Sequence, residues 1–265
     1  MTLIKEYRFT TNCTLEEYKI AQLYSVAEAS KAETGGGEGV EVLKNEPYVD
    51  EAGNKGQYTH KIYHLSSKVP GWVRALAPAG ALILEEKAWN AYPYCKTVVT
   101  NGYMKENFEL VTETMHVADD RGNLENAVRA PPEVLKKREV VIMDAAKDKL
   151  DKNDYNAEQD PTLFKSQKTG RGPLTGDWMK TCEPVMTAYK LVTVKFQWFG
   201  LQGRVESFIH GIMKNLLLKF HKQLFCLMDQ WYGLTIEDIR NIEEQTKAEL
   251  DRKRKEEGIS GTSLA

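Results

Sequence analysis

Apolar and polar residues alternate at period two in stretch after stretch of this chain, then switch to a helical period near residue 200. The clearest alternation is Met186–Gly200, MTAYKLVTVKFQWFG. It is rich in Val, Thr, Tyr, Phe and Trp, free of Pro and closed by Gly200, which predicts a long strand. One face carries Thr187, Tyr189, Leu191, Thr193, Lys195 and Gln197. The other carries Met186, Ala188, Lys190, Val192, Val194, Phe196 and Trp198, and is apolar but for Lys190. An ammonium group turned toward a core is costly unless paired, so Lys190 requires either an internal carboxylate or an anionic ligand. The strand ends in Trp198-Phe199; adjacent strand residues cannot both face one core, so at least one ring meets solvent.

Shorter alternations predict strands at Leu3–Thr10, Val40–Leu43, Gly56–Leu65, Ala81–Lys87, Cys95–Asn101, Phe108–Val117 and Arg138–Ala145. Within them Thr59, Lys61 and Tyr63 share a face, as do Cys95, Thr97 and Val99, and Phe108, Leu110, Thr112, Thr114 and His116. The aromatic, prolyl run Lys87–Tyr94 reads as a packed loop, Val69–Leu76 as a short helix, and residues 146–175 as a long surface loop. Thr14 and Glu17 form a capping box. The helix it opens carries Tyr18, Ala21, Gln22 and Ser25 on neighbouring turns, so Gln22 borders the interior. Leu201–Trp231 keeps the 3.6 period throughout. Thr235 and Asp238 open a last helix to about Lys255; its thin stripe of Ile236, Ile239, Ile242 and Leu250 predicts weak attachment.

With 265 residues and no clean break, the chain reads as one domain, with a detachable helix at about 235–255 and a frayed tail at 256–265. A net charge of −2 gives no bulk attraction to nucleic acid. Neither a secretory h-region nor an apolar run of about 18 residues is present. Cys13, Cys95, Cys182 and Cys226 form no CxxC pair, which argues against zinc and disulfides and for a reducing cytosol. The glycine-rich run Thr34–Gly39 lacks the Lys-Ser/Thr of a phosphate loop, and no hydrolase, metalloprotease or dinucleotide motif occurs. The reading is therefore not an enzyme, with no metal and no cofactor. His60 and His64 share a strand face but stand too far apart to chelate one ion. The polar set Thr59, Lys61, Thr97, Thr114 and Lys190 reads either as a paired structural network or as the polar end of a cavity.

The stretches QLYSVAEASKAETGGGEGVEVLKNEPY, KGQYTHKIYHL, EKAWNAYPYCKTVVTN, FKSQKTGRGPL, AYKLVTVKFQWFGLQ and FHKQLFC closely resemble the phosphatidylinositol transfer proteins, in order, from about residue 3 to about residue 250. The small single-domain members are the nearest in kind. The resemblance implies an α+β, START-like helix-grip fold: a curved, mainly antiparallel sheet with long helices enclosing a lipid cavity. It implies a carrier that exchanges one phosphatidylinositol or phosphatidylcholine between membranes, without covalent chemistry, in support of phosphoinositide synthesis. A non-transferring regulator that presents lipid to phosphoinositide kinases is the competing reading. By matching motif, the inositol ring would be held by Thr59, Lys61, Asn90 and Glu243, and the phosphate by Gln22, Thr97, Thr114 and Lys190. Trp198 and Phe199 match a membrane-docking aromatic pair that is usually two tryptophans. Cys95 matches a cavity cysteine, and Ser166 a phosphorylation position. The expected setting is a cytoplasmic monomer visiting Golgi and endoplasmic reticulum membranes.

Overall fold

The structure is a computed structural model, and the residues described are 2–33, 39–64, 78, 80–198 and 200–258. In chain order they form β1 (Leu3–Thr11), α1 (Leu15–Glu33), β2 (Gly39–Val49), β3 (Lys55–His64), β4 (Ile83–Ala91), β5 (Tyr94–Asn101) and β6 (Phe108–Ala118). There follow α2 (Pro132–Leu135), β7 (Glu139–Met143), α3 (Trp178–Thr181), β8 (Met186–Phe196), α4 (Gln202–Cys226), α5 (Met228–Trp231) and α6 (Ile236–Gly258). The short helix expected at Val69–Leu76, most of the glycine-rich connection, Phe199 and the last seven residues lie outside the described residues.

The strands make one eight-stranded sheet in the order β2-β3-β4-β5-β6-β8-β1-β7. From β2 to β1 every neighbour is antiparallel; β7 alone joins in parallel, beside β1. The two faces of β8 part as the alternation requires. Met186, Ala188, Val192 and Val194, with Tyr7 and Phe9 of β1 and Phe108 and Leu110 of β6, pack under the helices. Tyr18 and Ala21 of α1, Leu218, Leu224 and Phe225 of α4, and Met228 and Trp231 of α5 complete that core. Each such large side chain contributes about 1.5–3 kcal/mol of transfer free energy on burial. Tyr189 and Leu191 point to the other side, against Ile4, Val128 and Ala130. There Glu6 lies between Arg8 (2.7 Å) and Arg138 (3.3 Å), an ionic cluster buried under the connection from β6 to β7. This α+β arrangement, helices gripping one face of an open sheet, is the fold the resemblance implies.

The caps are formed as expected. Glu17 N donates to Thr14 Oγ1 (3.1 Å) while Thr14 N donates to Glu17 Oε2 (2.9 Å). Thr235 and Asp238 repeat the exchange at the start of α6 (2.8 and 3.1 Å). α6 lies along α1 and against the edge strand β2, with Ile239 and Leu250 buried and Ile236 left exposed.

Four boundaries differ from the sequence expectation. The run Lys87–Tyr94 is not a loop: β4 continues to Ala91, and only Tyr92 and Pro93 turn the chain into β5. β2 runs to Val49, past a register shift between Val42 and Lys44; its polar composition and Pro47 suit a sheet edge, where few backbone donors need partners. The long helix breaks after Cys226 into α4 and α5. The stretch 146–175 carries one short helical turn, and it is anchored at several points, among them Asp154, which accepts from Asn215 and Lys219 of α4 (2.8 Å each). Arg171 grips Glu17 with both terminal nitrogens (2.7 and 2.9 Å), and Ser166 donates to Asp229 of α5 (2.5 Å).

Candidate functional site

Directly opposed strand residues place their side chains on the same side, so the register alone shows which polar residues share a face. One row across the sheet reads Gln57, Asn90, Cys95, Thr114, Lys190, Tyr7. The next reads Thr59, Ala88, Thr97, Thr112, Val192. A third reads Lys61, Glu86, Val99, Leu110, Val194. Because Tyr7, Val192 and Val194 belong to the core under the helices, all six strand candidates and Cys95 stand on that face.

They fall into two groups. At the β2–β4 end, Lys61 Nζ lies 4.0 Å from Glu86 Oε1, and Glu86 also accepts from the Tyr63 hydroxyl (3.1 Å). Glu243 of α6 accepts from Asn45 Nδ2 (3.0 Å) and from Arg240 (2.5 Å). Asn45, opposite Thr59, accepts in turn from Gln57 Nε2 (2.6 Å), and Gln57 is opposite Asn90. Thus Glu243 on the last helix is tied through two amides to the row that carries Asn90. Gly56 sits beneath the Tyr48 ring at this corner; a Cβ there would run into that ring and into the Asn90 carbonyl oxygen.

At the β5–β8 end, Gln22 of α1 accepts a hydrogen bond from the Tyr92 hydroxyl, placing it at the interior edge. Thr114 is buried and Thr97 half-buried. Lys190 is only 7% exposed, and no hydrogen bond or ion pair joins its ammonium group to any described residue. Desolvation lowers its pKa to about 8, the neighbouring Cys95 acting weakly the other way. The internal-carboxylate alternative for Lys190 is therefore not what the described residues show. Burial pushes the Cys95 thiol up to about 12, so it is protonated and small-apolar in character at neutral pH.

Elsewhere, Trp198 is 41% exposed just beyond β8. The Ser166 hydroxyl is buried and fully used, donating to Asp229 and accepting from Thr169 N and Oγ1 (3.0 and 2.8 Å). A kinase reaches it only if that corner opens. His60 and His64 face different carboxylates, Glu85 (2.7 Å) and Glu41 (3.7 Å).

Asn45, Gln57 and His116 also stand on this face, with Tyr92 of the β4–β5 turn and Tyr18 of α1 beside His116, and the sequence did not single these out as site residues. Gln57 and His116 were within reach, each two residues from a named site residue on its strand. Asn45 was not, because β2 beyond Leu43 gave no alternation to follow.

The described residues thus give the helix-covered face of the sheet a polar row and a buried lysine with no acid partner, a combination that suits a ligand with an anionic group. Among the described residues no helix is long and apolar enough to cross a membrane. The family described as phosphatidylinositol transfer protein matches residues 2–248, and the chain belongs to that family. It is 54% identical over 271 residues to the phosphatidylinositol transfer protein beta isoform of Homo sapiens, covering all of this chain and 99% of that protein. Phosphatidylinositol transfer protein 1 of Dictyostelium discoideum is 49% identical over 256 residues, 96% of each chain. Protein retinal degeneration B of Drosophila melanogaster is 45% identical over 267 residues, but the match spans 21% of its length.

Proposed function

We propose that this chain encloses one phospholipid, phosphatidylinositol or phosphatidylcholine, and exchanges it between membranes. The observation that carries this is Lys190: a buried ammonium with no acid partner among the described residues, in one row with Thr114, Cys95 and Asn90. A phosphodiester supplies the missing negative charge and several strong acceptors, and Thr97, Thr114 and Gln22 supply further donors. The second group, Thr59, Lys61, Asn90 and Glu243, then meets the headgroup. Its mixed donors and acceptors suit the hydroxyls of inositol and have less to bind in choline. The acyl chains run along the apolar part of the same face, under α4. Each methylene kept from water is worth about 0.8 kcal/mol, which favours a cavity that is always filled and a one-for-one exchange.

Exchange needs an opening, and α6 is the lid this reading assigns, its few buried apolar residues making it the least costly helix to lift. Trp198 and Phe199 would dock at the interface; Phe lacks the indole N–H that favours the headgroup region. An alkyl group on Cys95 would occupy lipid space.

The test is native mass spectrometry of the freshly purified chain, with vesicle-to-vesicle transfer measured in parallel. One intact phospholipid per chain and net transfer of both lipids are expected. Lys61→Ala should lower inositol-lipid transfer more than choline-lipid transfer; equal losses would remove the headgroup assignment. Bound lipid without flux would favour a non-transferring presenter to phosphoinositide kinases, and a chemically altered lipid would favour an enzyme.

A further inference from the structure

His116 of β6 stands two residues beyond Thr114, opposite Ala188, and so on the same face as Lys190. It is buried, with its ring between those of Tyr92 (centroids 4.6 Å apart, planes at 21°) and Tyr18 (5.1 Å, 45°). Its Nδ1 lies 2.9 Å from the Pro93 carbonyl oxygen. A carbonyl only accepts, so that contact assigns the ring proton to Nδ1 and the lone pair to Nε2. Desolvation, with Lys190 as the next cause, lowers the pKa of His116 to about 3, so the ring is a neutral acceptor at ordinary pH. Yet Nε2 is buried and receives no hydrogen bond from any described residue. The nearby His221 shows the satisfied form: Nδ1 bonds Leu217 O (2.7 Å) and Nε2 meets the Tyr18 hydroxyl (3.0 Å). A fixed acceptor and a three-proton donor thus stand unpartnered on adjacent strands. Leaving a buried polar group unsatisfied is costly, and two such groups side by side on one face form a complementary pair.

We infer that His116 is a positioning residue for Lys190: when lipid is bound, Nε2 accepts one N–H of the ammonium and leaves two for the phosphate oxygens. This rests on the reading of Lys190 as the phosphate partner. The choice of imidazole has a physical reason. A carboxylate at this position would also hold the ammonium, but it would cancel its charge and repel the phosphate. A neutral ring orients the cation and leaves its charge to the ligand. Among the described residues, the other titratable groups facing this part of the row are Tyr7 of β1, Tyr92 between β4 and β5, Cys95 of β5, Tyr18 and Lys19 of α1 and His221 of α4, and no carboxylate is among them.

The experiment measures capture of phosphatidylinositol and phosphatidylcholine from vesicles against pH, for the full chain and for His116→Phe, His116→Gln and Lys190→Met. His116→Phe keeps the packed ring and removes the acceptor. It should weaken capture of both lipids about tenfold, leave their ratio unchanged, and move the alkaline decline of capture to lower pH. His116→Gln, which returns an acceptor at similar reach, should restore most of both. If capture and the alkaline decline are unchanged in His116→Phe while Lys190→Met loses lipid, the positioning role is overturned and the phosphate reading stands. If Lys190→Met captures lipid normally, the phosphate reading itself fails. Should His116→Phe not fold, the wild-type ¹⁵N resonance of His116 Nε2 decides: it should move on lipid loading, and an unmoved resonance overturns the role.

Discussion

Burial holds three histidines, His116, His210 and His221, below their ordinary pKa of 6.5. All three take up protons more readily in the unfolded chain than in the native one, so native stability must fall as pH drops below that value. His116 and His221 can each add up to about 1.4 kcal/mol per pH unit to that slope. The urea midpoint of the chain should therefore decline between pH 6.5 and 5, before most carboxylates titrate, and His116→Phe should flatten the decline. A midpoint that stays flat over this range would mean the rings are already solvated. At this scale the sequence was informative where a residue broke its own pattern. Lys190 stood alone on an apolar face and proved buried and unpaired. His116 broke no pattern, since a histidine at the edge of a mixed face looks like any other polar residue. Its significance lies in a tautomer set by Pro93, which only the fold brings near.

Among the elements, α6 is held by its packing along α1, a reciprocal cap at Thr235, two fully buried apolar side chains, Ile239 and Leu250, and the Glu243–Asn45 bond to the sheet edge. Thr235→Ala should cost about 1 kcal/mol of helix stability. Hydrogen exchange should then quicken at the amides of the first turn of α6 and stay unchanged in β8, and lipid exchange should become faster. Unchanged exchange in α6 would show that its contacts with α1, not its cap, secure it. The starts of α1 and α6 were legible because capping boxes are local chemistry. The true lengths of β2 and β4 were not. Asn45, Pro47 and Asn90 look like loop residues to a local rule, and they lie in strands because neighbouring strands pair with them.

For the molecule as a whole, the two faces of the sheet have different duties. One is covered by the helices and is the container on the proposed reading; the other is sealed near β8 and β1 by the Glu6–Arg8–Arg138 cluster and the segment above it. Breaking a buried ionic cluster is costly, so that end is stiff; on the proposed reading, opening falls to the end under α6. Membrane contact must then be made where the container opens without disturbing the cluster. Trp198→Ala should reduce vesicle binding and transfer while leaving the lipid content of the purified protein unchanged; loss of lipid would mean the ring closes the cavity instead. The fold class was legible from alternation and family resemblance together, but the strand order was not. No short-range signal places β1 between β7 and β8, because that pairing joins residues more than 130 positions apart.

That placement bears on how the chain is made. The meander β2 to β6 consists of successive neighbours and can pair as it leaves the ribosome, whereas β1, synthesised before all of it, has no sheet partner until β7 and β8 arrive. The polar row crosses this seam. Asn90, Cys95 and Thr114 belong to the early part, and Lys190 enters only with the strand that joins β1 to β6. A partly made chain thus displays the neutral half of the row without its charge. On the proposed reading, the ammonium assigned to the lipid phosphate joins the row in the same step that completes the sheet, so a nascent chain lacks that contact until it has a floor to hold a lipid on.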